Sequence, residues 1–75
     1  MPLIRVYSYS GRDEETKKAL AVALAKTANE KMGAPLSAFT VMYEDVEREV
    51  WDEYVVKTII DPNREQVLID HDLAD

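Results

Sequence analysis

Apolar and polar positions change their spacing along the chain, and each change predicts an element. In residues 2–10, Ile4 and Val6 share a face opposite Arg5 within a run rich in β-branched and aromatic side chains, which predicts a strand. Gly11 and Arg12 interrupt it. Asp13 is then a candidate N-cap, and Glu14 and Glu15 suit the positive end of a helix dipole. Leu20, Ala23, Leu24, Thr27, Ala28 and Met32 recur at spacings of three and four, a narrow apolar stripe, and Lys31 with Gly33 marks the helix end. After Pro35, residues 36–43 read as a second strand, with Phe39, Val41 and Tyr43 alternating against Thr40 and Met42.

Strand, long helix and strand make a βαβ unit whose strands run parallel through a right-handed crossover. The expected fold is α+β, two parallel strands under one long helix, in a single domain spanning residues 1–75. Two strands under one helix leave an edge and an apolar sheet face bare, which a second copy extending the sheet would cover. Further on, Val46, Val50, Trp51, Tyr54 and Val55 have helical spacing, while residues 55–60 fit a short strand equally well. Asp61 and Pro62 resemble a cap and first helical position, with Val67, Leu68 and Ile69 anchoring a final short helix.

Composition sharpens the expectation of self-association. A chain of 75 residues with no cysteine has neither disulfides nor thiolate zinc sites, and a core of this size rarely supplies more than about 3–5 kcal/mol. His71 is its one histidine, too few for a histidine metal cluster, so no metal and no cofactor is expected. Fifteen acidic against nine basic residues give a net charge of −6 and a pI near 4.6, which repels nucleic-acid phosphates and anionic membranes. Neither a long apolar run nor a signal-like N-terminus is present, so cytoplasmic residence is expected.

Pro2 could carry chemistry. Methionine removal generally proceeds before a small residue, and removal here would expose a secondary amine. A free α-amine titrates near 7.7–8.0, and desolvation beside a cation favours its uncharged form. Such an amine can take a proton from a carbon acid and return it. The plainer alternative is that Pro2 only begins a strand, where its missing N–H does no harm.

The N-terminal Met-Pro-Leu-Ile, the run Ser10-Gly11-Arg12-Asp13-Glu14-Glu15 followed by Lys17 and Leu20, and Gly33-Ala34-Pro35-Leu36 carry a resemblance to a known family. Over about the first forty-five residues the chain resembles the tautomerase superfamily, specifically its short 4-oxalocrotonate tautomerase-like proteins. The resemblance implies a βαβ fold assembled into dimers or trimers of dimers. It also implies enol–keto isomerisation of a small anionic 2-oxo or 2-hydroxy acid, with Pro2 as general base and acid. Arg12 matches the arginine that binds a substrate carboxylate or polarises its carbonyl, a role suited to a planar, permanently charged fork. Arg12 could instead pair with the acidic residues at the helix start. Trp51 matches an aromatic wall of the pocket, though core packing accounts for it equally. Glu53 matches a glutamate that activates water in trans-3-chloroacrylic acid dehalogenases, which implies a hydratase or dehalogenase alternative; a solvated glutamate is the plainer account.

Departures from the family pattern qualify these implications. Thr40 stands where 4-oxalocrotonate tautomerase has a second arginine, which weakens a dicarboxylate clamp and favours a monoacid, unless Arg5, Arg48 or Arg64 substitutes. The C-terminus lacks the family's Gly-rich hairpin and is similar to the dimeric phenylpyruvate tautomerase-like subgroup, so a dimer is favoured over a hexamer. Met1, if retained, makes the Pro2 nitrogen an amide without a basic lone pair. A non-catalytic oligomeric binding protein on the same fold is the alternative from another class.

Overall fold

The computed structural model describes residues 1–70; His71, on which the expectation about a histidine cluster rests, lies outside them. β1 (Leu3–Tyr9) and β2 (Thr40–Val46) pair in parallel, from Leu3 opposite Thr40 to Tyr9 opposite Val46, and α1 (Glu14–Met32) joins them. The βαβ unit is therefore as expected. The Thr40 N–H donates to the Pro2 carbonyl at 3.0 Å, which carries the ladder one residue ahead of β1 without needing a donor on proline.

Local chemistry sets the ends of α1. The Asp13 carboxylate accepts from the Thr16 N–H at 2.8 Å, and that bond holds its pKa below the ordinary value. Gly33 adopts φ 83°, a left-handed cap that only glycine takes easily, and its N–H donates to the Asn29 carbonyl at 2.9 Å.

The helix face differs from the predicted stripe. Leu24 and Ala28 are half-buried as expected, but Leu20, Ala23, Thr27 and Met32 are exposed, and Ala21, Ala25 and Asn29 are half-buried beside them. The small Ala21 and Ala25 thus take inward positions while the bulkier Leu20 and Met32 stay exposed. β2 also differs, beginning at Thr40 rather than at residue 36. Pro35 is extended (φ −67°, ψ 151°), and Leu36–Ala38 coil into a 3-10 turn closed by the Phe39 N–H on the Leu36 carbonyl at 3.2 Å. The strand recovers its length at the far end, and Val41 and Tyr43 still alternate with exposed Thr40 and Met42.

Past β2 the chain covers the face of the sheet opposite α1. A 3-10 turn (Arg48–Val50) leads into a π-helix (Asp52–Ile60), ended by the Asp61 N–H on the Val56 carbonyl. The open alternative between helix and strand thus resolves as helix. Its wide coil coincides with crowded β-branched residues, Val55, Val56, Thr58, Ile59 and Ile60, which sit poorly in a tight helix. Tyr54 meets Tyr7 edge to face at 6.2 Å and Trp51 meets Tyr9 at 5.0 Å, and Val46 and Val55 are the buried apolar side chains among the described residues. The expected final helix is displaced. Asp61–Gln66 form a 3-10 segment with Pro62 in its first turn, Val67 is extended, and Leu68 and Ile69 are exposed rather than anchoring anything. None of the described helices is long and apolar enough to cross a membrane.

Lys17 ties α1 to β2, donating to Asp45 at 2.7 Å and pairing with Glu14 at 3.0 Å. The Asp45 bond raises its pKa above 10.5, and a bond to Glu44 raises that of Tyr54 above 10.0. Both groups favour the folded state in their protonated forms. Their contribution is therefore full below those ordinary values and lost as pH rises through the elevated ones. A thermal melt series is expected to show Tm falling above about pH 10, with a shallower fall in Lys17→Met and in Tyr54→Phe.

Candidate active site

Gly11, at φ 132°, turns the chain sharply after β1, and the Arg12 side chain folds back on the strand end. Its Nη1 donates to Ser8 Oγ at 2.8 Å and to the Tyr9 carbonyl at 3.3 Å. It makes no ion pair with the acidic residues at the helix start: Asp13 caps α1 and Glu14 pairs with Lys17. Neutral acceptors thus hold an exposed guanidinium and leave part of its donor fork unused.

Ser8 and Tyr9, which hold Arg12, also wall a cavity of about 590 Å³ together with Tyr7, Trp51, Asp52, Val56, Ile60 and Ile69; Arg12 itself does not line it. Trp51 lines this cavity and also packs edge to face on Tyr9. Arg48 lies over the Tyr9 ring, 4.4 Å from its centroid. Glu53 does not line this cavity. It is exposed and pairs with Lys57 at 2.7 Å, one helical turn away.

Pro2 lies at the other end of the sheet. It immediately precedes β1, whereas Ser8, which holds Arg12, is near the strand's end; about 20 Å of strand separates Pro2 from Ser8. One protomer thus sets Arg12 against the Tyr9 carbonyl and Trp51 against the Tyr9 ring, and keeps Pro2 apart. On the face that carries Tyr7 and Tyr9, the end nearest Pro2 is bare, with Leu3 57% and Met42 49% exposed.

Sequence reasoning passed over Ser8, Tyr9 and Asp52. Tyr9 had a signal, since it shares a strand face with Arg5 and Tyr7, but nothing in the spacing indicated that Arg12 would fold back on it. Among the described residues, no three His, Cys, Asp or Glu side chains are grouped to hold a metal ion. An aromatic-walled recess whose Ser8 and Tyr9 also hold a guanidinium offers the groups needed to hold a small organic anion and to stabilise negative charge that develops on it.

Known proteins share this architecture. Residues 2–57 match the model of the tautomerase enzyme family. A 2-hydroxymuconate tautomerase of Comamonas testosteroni is 37% identical over 51 residues, covering 68% of this chain and 81% of the relative. One of Pseudomonas putida is 33% identical over 51 residues, with the same 68% and 81% coverage. The crystal structure of TomN, a 4-oxalocrotonate tautomerase homologue in the tomaymycin biosynthetic pathway, superposes with a TM-score of 0.65 at 40% identity, covering 67% of this chain and 77% of TomN. Apo unfused 4-OT gives a TM-score of 0.63 at 39% identity, covering 65% and 80%. With the parallel βαβ unit and this breadth of likeness, the chain belongs to the tautomerase family and is an enzyme of the isomerase class.

Proposed function

We propose that this enzyme interconverts the enol and keto forms of a small 2-oxo or 2-hydroxy acid in the cytoplasm, with Pro2, freed of Met1, as general base and acid. Arg12 carries the reading: its guanidinium, engaged by no carboxylate among the described residues, is held by Ser8 and Tyr9, two residues that also wall an aromatic-lined cavity. The secondary amine takes the enol proton or a proton from carbon and returns it to the other atom. Arg12 binds the substrate carboxylate and steadies the dienolate charge that grows as the proton leaves. Trp51 and Tyr9 exclude water from the recess.

The separation of Pro2 from Arg12 makes a homo-oligomer part of this reading. A two-fold partner docked on the bare end around Leu3 and Met42 would bring its own Arg12 end to Pro2, and the symmetry would repeat the arrangement at the other site. A dimer is the smallest assembly that does this.

Turnover of enol-phenylpyruvate and 2-hydroxymuconate, followed spectrophotometrically with protein whose mass confirms loss of Met1, tests the proposal. Arg12→Ala is expected to lower kcat/KM about 100- to 1,000-fold, the scale for loss of one donor to a developing oxyanion. Absence of turnover with both substrates rejects the reading.

A further inference from the structure

We propose that Ile60 and Ile69 set the substrate class of this site, selecting a 2-oxo acid with one carboxylate and a long apolar tail that lies against them. For the placing of the carboxylate at Arg12, this rests on the tautomerase reading above. The match to the family model ends at residue 57, so both isoleucines stand outside the matched segment. Past that point the chain returns to the cavity. Ile60 ends the π-helix, Asp61–Gln66 form the 3-10 segment with Pro62 in its first turn, and Val67 leads out of it in extended conformation. Arg64 clasps both ends of this return, meeting Asp61 at 2.9 Å and Asp70 at 2.7 Å. Ile69 thereby reaches the cavity that Ile60 also lines, and the two border an adjoining recess of about 230 Å³ with Val67, Leu68 and Asp70.

The lining divides into two kinds of surface. Ser8 and Tyr9 carry the polar atoms that hold Arg12, whereas the side chains of Val56, Ile60 and Ile69 present hydrocarbon only. Among the described residues that line the cavity there is no cation, and the one carboxylate is Asp52. A second carboxylate on the substrate would lose its water against isoleucine and meet the charge of Asp52. An apolar tail meets neither obstacle. Ile69 is 80% exposed, so a tail laid across it removes apolar surface from water, which favours binding in proportion to the length of the tail.

Titration calorimetry with 2-oxobutanoate, 2-oxohexanoate and 2-oxooctanoate, and with 2-oxooctanedioate as the same eight-carbon chain ended by a second carboxylate, tests this without turnover. In the wild type, affinity is expected to rise about two- to fourfold per added methylene, and 2-oxooctanedioate to bind about 10-fold more weakly than 2-oxooctanoate. Ile69→Ser, a change at an exposed position, is expected to weaken 2-oxooctanoate about 3- to 10-fold and 2-oxobutanoate less than about twofold. Ile60→Ala should act in the same direction, with its melting temperature checking that it folds. Asp52→Asn should narrow the gap between the monoacid and the diacid, because it removes the opposing charge. Affinity that does not grow with chain length, a diacid bound as tightly as the monoacid, or equal losses for the short and long acids in Ile69→Ser overturns the assignment. If that happens while enol-phenylpyruvate is still turned over, this inference fails alone. If the dependence on chain length follows Ile69 but neither enol substrate is turned over, the proposed catalytic function fails and the two isoleucines keep their role in binding.

Discussion

Protein that keeps Met1 is expected to turn over enol-phenylpyruvate about 100- to 10,000-fold more slowly than protein freed of it, the range that positioned acid–base catalysis contributes. Acylation by Met1 leaves the proline nitrogen with neither a basic lone pair nor an N–H, so it can neither accept a proton nor return one. Met1 is fully exposed and lines no wall of its own protomer's cavity, so its retention should not alter the folding of that protomer. Pro2→Ala in processed protein is a milder change, because alanine also supplies an α-amine. Proline's ring fixes φ near −65°, and the Thr40 N–H pins its carbonyl at 3.0 Å; an alanine amine turns more freely and is better solvated. Its loss should therefore be large but smaller than that caused by Met1. Rates measured on preparations sorted by intact mass check both, and equal activity with and without Met1 removes Pro2 as the base.

The elements ruled by short-range chemistry were legible in the sequence. Asp13 and Gly33 bound α1 as expected because capping depends on a few neighbouring atoms. The start of β2 was not legible, since apolar Leu36 reads as strand while the turn that contains it depends on the extended Pro35 before it. Nor did periodicity disclose which side of α1 meets the sheet. It weights side chains by hydrophobicity, whereas the small Ala21 and Ala25 lie inward and larger apolar groups are left out. In the site, Pro2 and Arg12 stood out through resemblance and chemistry, but their distance apart follows only from the register of a seven-residue strand. Ile69 reads as the anchor of a final helix until the fold sets it with Ile60 at the cavity.

That separation makes mixing experiments decisive. Pro2→Ala and Arg12→Ala are each expected to be severely impaired alone. Unfolded together in equal amounts and refolded, they should recover about a quarter of the wild-type site activity if each site draws Pro2 from one copy and Arg12 from another. Half of randomly paired dimers are then mixed. In each, one site receives both substitutions and the other receives neither. If each site were complete within one protomer, every site would keep one substitution and mixing would recover nothing. A companion variant guards the interpretation: Leu3→Glu places a charge on the bare face beside Pro2, and should lower both the assembly state by sedimentation and the activity. A fully active monomer at micromolar concentration would contradict the shared site, since about 20 Å of strand cannot be bridged by one small acid.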